Sequence, residues 1–156
     1  MASGEQHRAP LRRLSLAFIA VLAAAGCEPT FVFAGGELTG AEQPMPPSWD
    51  FTRDFDTVQI ETRPNDPYSV NVWGVSVDRD FYVAASDAAD AEWARAIEAE
   101  PRVRLRIGND IYPLLATRTD DPKELTKVTD AYVDKYGGDR ERSFIRHAYV
   151  YRLGSR

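Results

Sequence analysis

The chain has 156 residues, of which 44% are apolar and 28% charged, and it carries a formal net charge of −5. That composition supports one folded domain with a small surplus of chain, and it argues against disorder throughout. The acidic balance offers no general attraction to nucleic acid phosphates, so nucleic acid is excluded as a partner. Cys27 is the only cysteine and His7 and His147 the only histidines, so no internal disulfide, metal centre or Ser-His-Asp site is expected.

Arg8, Arg12 and Arg13 precede an apolar run from Leu14 to Gly26. A basic segment followed by about 13 apolar residues has the layout of a secretory signal, and it is too short to span a bilayer, which needs about 20. Ala24-Ala25-Gly26-Cys27 resembles a lipobox, in which small residues before a cysteine allow cleavage and leave the thiol to carry lipid. Residues 1–26 are therefore read as the signal peptide of a bacterial lipoprotein, with an apolar signal helix, and Cys27 as the lipidated residue. Membrane lipid is the expected partner, and the cell envelope the expected location. Arg12-Arg13 leaves twin-arginine export open beside the general route. Without residues 1–26 the chain holds 16 basic and 23 acidic side chains.

Residues 27–48, rich in Pro and Gly and lacking periodicity, read as the lipidated cysteine and a flexible tether. About 20 flexible residues reach roughly 25 Å on average. The domain is expected at 49–156. Residues 57–63 alternate as a strand, with Val58 and Ile60 on one face and Gln59 and Glu61 on the other. Residues 68–77 are β-rich, but the alternation slips, which predicts a bulge near Gly74. Asp78-Arg79-Asp80 turns the chain into a strand at 81–86. A helix is predicted over 88–100, closed by Pro101. Residues 102–107 alternate, with Val103, Leu105 and Ile107 inward. Gly108-Asn109-Asp110 leads into a strand at 111–119. Asp121-Pro122-Lys123-Glu124 predicts a capped helix start with Glu124 in a capping box. The helix carries a stripe of Leu125, Val128, Tyr132 and Tyr136 and ends at Gly137-Gly138. A last strand is expected over 143–153. The order β-β-β-α-β-β-α-β predicts an α+β domain built on a mainly antiparallel sheet or barrel.

Three stretches in this order resemble the FMN-binding split-barrel fold shared with pyridoxamine-phosphate oxidases, nearest its deazaflavin-dependent nitroreductase branch. They are the hairpin at 70–86, the Trp-containing helix and strand at 91–108, and the strand end and helix at 117–137. The resemblance implies a six-stranded split β-barrel with two helices, a homodimer, and an FMN or deazaflavin cofactor. By position it points to Arg63, Ser86, Trp93 and Arg95 as cofactor-binding residues. The loop 61–69 departs from the Gly- and Lys-containing loop of that branch.

Each of these residues also has a plainer reading. Arg63 is a solvated loop charge, Ser86 a helix cap, Trp93 a core residue, and Arg95 a partner for Glu98 or Glu92. Arg102, Arg104 and Arg106 form a cationic strand face that either meets an anion or is balanced by acidic neighbours. His147 reads as structural. Three functions stand open: a membrane-anchored split-barrel oxidoreductase acting on a small molecule through a flavin or deazaflavin, a cofactor-free binding or scaffold lipoprotein of the envelope, and binding of haem or another apolar ligand in the same fold.

Overall fold

A computed structural model describes residues 35–87, 90–139 and 143–156. The signal peptide, Cys27 and the first part of the tether fall in residues 1–34, outside the described residues. The elements run β1 (Ala41–Glu42), β2 (Val58–Thr62), β3 (Tyr68–Val72), β4 (Gly74–Val77), β5 (Asp80–Ala85), α1 (Glu92–Ala99), β6 (Arg102–Ile107), β7 (Asp110–Thr119), α2 (Pro122–Tyr136) and β8 (Tyr149–Ser155). Short 3-10 turns lie at Asp50–Asp54 and Phe144–His147. The second of these replaces the start of the predicted last strand, and α1 begins four residues later than expected. Among the described residues, no helix is long and apolar enough to cross a membrane.

The sheet order is β3-β2-β6-β7-β8-β5-β4, with every neighbouring pair on that path antiparallel. The two end strands, β3 and β4, are separated in sequence only by Trp73. A sheet whose opposite ends are one residue apart must curl back on itself, which makes it a half-barrel. Alternating side chains then serve two faces. Phe81, Val83 and Ala85 of β5 join Tyr151, Leu153, Leu105 and Leu114 in the larger core, where Trp49 and α1 also pack. Tyr82 of β5, Val75 of β4 and Val150 of β8 form the smaller core beneath Val128 and Tyr132 of α2.

The expected six strands are eight among the described residues, for two physical reasons. First, the predicted bulge near Gly74 is a complete break. Val72 pairs with Val58, whereas Gly74 pairs with Val83 at the far end of the sheet. Glycine is required there, because a Cβ would stand 2.5 Å from the Phe81 ring. Second, residues 35–48, read as tether, are held across the sheet as a strap. Gly35 N–H donates to the Ser69 carbonyl (2.7 Å), Leu38 N–H donates to the Glu61 carboxylate, and β1 pairs in parallel with the start of β7. The strap also covers the second face of β2: Glu61 is 4% exposed, and Gln59 is buried too.

Helix α2 begins as its sequence requires. Asp121 accepts from Lys123 N–H (2.7 Å) and Glu124 N–H (3.2 Å), with Pro122 in the first turn and Gly137 at φ +77° closing the helix. The expected reciprocal bond from Glu124 is absent among the described residues. Its carboxylate accepts instead from the Thr119 and Tyr82 hydroxyls, the latter at 2.7 Å. Burial, together with that bond to Glu124, pushes the Tyr82 phenol well above its ordinary range.

Candidate functional site

Arg63 directly follows β2 in a left-handed backbone conformation, φ +57°. Its guanidinium donates to Glu92 at 2.9 Å, lies 3.6 Å from Asp66, and sits 4.8 Å over the Tyr68 ring. Glu92 is the first residue of α1, so this ion pair joins the loop after β2 to the helix. Trp93 packs against the larger core, with its ring 5.9 Å from that of Tyr151. Ser86 is exposed beyond the end of β5 and does not cap α1, whose N-cap is Ala91. Arg95 is exposed and pairs with neither expected partner. Glu92 holds Arg63, and Glu98 accepts from the Tyr151 hydroxyl (2.9 Å).

Of these four residues, Arg63 is already paired with carboxylates in this chain, while its Nε is buried without a partner. A phosphate needs uncompensated donors. Here Glu92 and Asp66 already neutralise Arg63, and Asp87 and Asp90 add negative charge between Ser86 and α1. Trp93 takes its core reading, and Ser86 and Arg95 line none of the four clefts described below.

Two of the three arginines on β6 are balanced by carboxylates. Arg102 pairs with Glu100 (2.8 Å), and Arg106 donates to the Gly108 carbonyl (2.9 Å). Arg104 meets Glu61 at 3.0 Å, with Glu42 and Glu37 at 3.5 and 3.6 Å. His147 lies exposed in the second 3-10 turn.

Several clefts mark the described surface. One of about 540 Å³ lies between β4, α2 and the Asp50–Asp54 turn. Three others have volumes of about 450, 280 and 260 Å³. At one end of the 540 Å³ cleft, Lys135 Nζ donates to the carbonyls of Gly74 (2.9 Å) and Thr52 (3.0 Å). Tyr136 Oη accepts from Gly74 N–H (3.1 Å) and donates to the Gly74 carbonyl (3.0 Å). Burial pushes the Lys135 ammonium below its ordinary pKa, with Asp56 opposing that shift. At the other end, Lys127 meets Asp78 at 2.8 Å. The sequence reading missed this cleft. A lysine in the last turn of a helix reads as a dipole partner, and the slip at Gly74 was its one visible trace.

Residues 52–149 match the DUF2255 family, uncharacterized proteins conserved in bacteria. This chain belongs to that family. No curated protein matches the sequence. Among solved structures, the DUF2255 chain is similar to the conserved hypothetical protein Rv2991 from Mycobacterium tuberculosis, with 18% identity and a TM-score of 0.56 over 69% of this chain and 77% of that one. It is also similar to HutZ, the heme storage protein from Vibrio cholerae, with 15% identity and a TM-score of 0.56 over 73% of this chain and 92% of that one. An F420-H2 dependent reductase, FDR-A, aligns at 13% identity and a TM-score of 0.53 over 75% of this chain and 99% of that one. At such identities the likeness is one of fold, the split barrel.

Proposed function

We propose that this protein is a lipid-anchored, cofactor-free binding protein of the bacterial cell envelope that uses the split barrel to hold a small molecule. The observation that carries the cofactor-free reading is the neutralisation of Arg63 by Glu92 and Asp66, at the loop where the resemblance would seat a phosphate. The anchor rests on the basic segment, the apolar run and the Ala24-Ala25-Gly26-Cys27 lipobox.

The second reading is a flavin- or deazaflavin-dependent oxidoreductase working as a homodimer. It is supported by the fold shared with an F420-H2 dependent reductase. In that reading Arg63, Ser86, Trp93 and Arg95 approach the cofactor, and the cofactor supplies the redox chemistry.

Expression of the full chain and of Cys27→Ser in a bacterial host tests the proposal. The full chain is expected in the membrane fraction and the variant in the soluble envelope fraction. In mild detergent the purified chain is expected to be colourless, with no saturable micromolar binding of FMN or F420. A yellow protein, or tight binding lost on Arg63→Ala, overturns the cofactor-free reading in favour of the second. Equal fractionation of the two chains overturns the anchor.

A further inference from the structure

The 540 Å³ cleft runs along the free edge of β4, an end strand of the sheet. Its length follows from its two ends. Lys127 and Lys135 are eight residues apart on α2, about 12 Å. Asp78, which Lys127 meets, and Gly74, to which Lys135 donates, are about 13 Å apart along the strand. That distance suits three or four residues of extended chain.

The edge itself offers hydrogen bonds. Val77 and Asp80 pair across a two-residue turn, so the polar backbone groups of Val75 and Val77 face β5. Those of Gly74 and Ser76 face the open edge. Gly74 bears this out, because its N–H and carbonyl are taken by Tyr136 and Lys135. Ser76, which lines the middle of the cleft, has no such partner among the described residues. One donor and one acceptor are therefore presented where an extended backbone would lie.

Charge narrows the class of ligand. The lining holds Arg53, Lys127 and Lys135 against Asp78, Asp130 and Asp134, a balanced set. Lys127 and Asp78 satisfy each other. At the opposite end, neither Lys135 nor Arg53 forms an ion pair among the described residues; Lys135 donates to two carbonyls, with the Tyr136 ring beneath it and Asp56 acting on it from farther away. A dianion such as phosphate would meet Asp130 and Asp134 along the same wall. A molecule with one carboxylate at one end and an ammonium farther along matches the lining.

We propose that this cleft binds a short peptide in extended form, its main chain on Ser76 and its terminal carboxylate between Lys135 and Arg53. This deepens the binding reading above and rests on it. It needs no flavin, so its failure is distinguishable from the absorbance result. The full chain in mild detergent is titrated calorimetrically with tri-alanine, tri-alanine amide and inorganic phosphate. Saturable binding of tri-alanine is expected, with the amide about tenfold weaker, since the charge-assisted contact is lost. Phosphate is expected to give no saturable heat. Lys135→Gln is expected to weaken tri-alanine binding at least as much as amidation does. If that variant does not fold, Arg53→Gln, at an exposed position, supplies the same comparison with a smaller loss. Equal affinity for acid and amide, tighter binding of phosphate, or no heat with either peptide overturns the proposal.

Discussion

Glu61 and Arg63 stand two residues apart near the end of β2, and each makes an ion pair in very different surroundings. The Glu61 side chain is 4% exposed, and its partner Arg104 is 20% exposed. Arg63 and Glu92 are 35% and 57% exposed. Glu61 also accepts the Leu38 N–H, so it pins the strap to the sheet. Arg63 joins a loop to the start of a short helix in contact with water. Charge alone marks neither residue as functional or structural. Burial decides what its loss would cost, because a charge stranded in the interior loses both its partner and its water.

The contrast can be broken by substitution. Glu61→Ala is expected to have the largest effect, about 3 kcal/mol of unfolding free energy, because it removes the buried partner of Arg104, leaving only the exposed Glu37 and Glu42, and strands an amide of the strap. Denaturant unfolding measures this, and a loss below about 1 kcal/mol would show that the pair is effectively solvated. Gly40→Ala probes the strap without touching charge. A Cβ at Gly40 would stand 2.5 Å from the Asn109 carbonyl oxygen, so the strap must shift. A cost of about 1–2 kcal/mol is expected, with faster hydrogen exchange at the Ala41 and Gln43 amides while the β6–β7 amides stay protected. Unchanged exchange would mean that the strap and sheet open as one unit. Arg63→Ala is expected to cost least, under about 1 kcal/mol, since its pair is largely solvated. A larger loss would give this loop a structural weight that its exposure does not show.

Much of the fold was legible from local pattern. The alternation of Val103, Leu105 and Ile107, the Asp121 cap and the Leu125–Tyr136 stripe all follow from neighbours within a turn or two in sequence. What escaped depends on distant partners. Residues 35–48 have no periodicity, and their order comes from Ser69, Glu61, Arg104 and Ile111, up to about seventy residues away. The burial of Glu61 was not legible, because alternation cannot see a strap laid over the second face. The slip at Gly74 was visible, but not that the chain leaves one end of the sheet there for the other. The candidate residues were legible as types and positions only. That Glu92 takes Arg63, or that Lys135 reaches past α2 to two carbonyls, is fixed by the packing of helices on the curled sheet.

The free edge of β4 bears on solubility. An unpaired strand edge is a template on which a second copy can add a strand, and chains grow into aggregates from such edges. Here a lysine and a tyrosine occupy the Gly74 groups and put positive charge on the rim. The stretch left open at Ser76 is one residue long, too short to seed another sheet and long enough to orient a single ligand. Substitutions that strip Lys135 or Tyr136 from this edge therefore lengthen the exposed template, and self-association at high protein concentration follows from the same geometry that shapes the cleft.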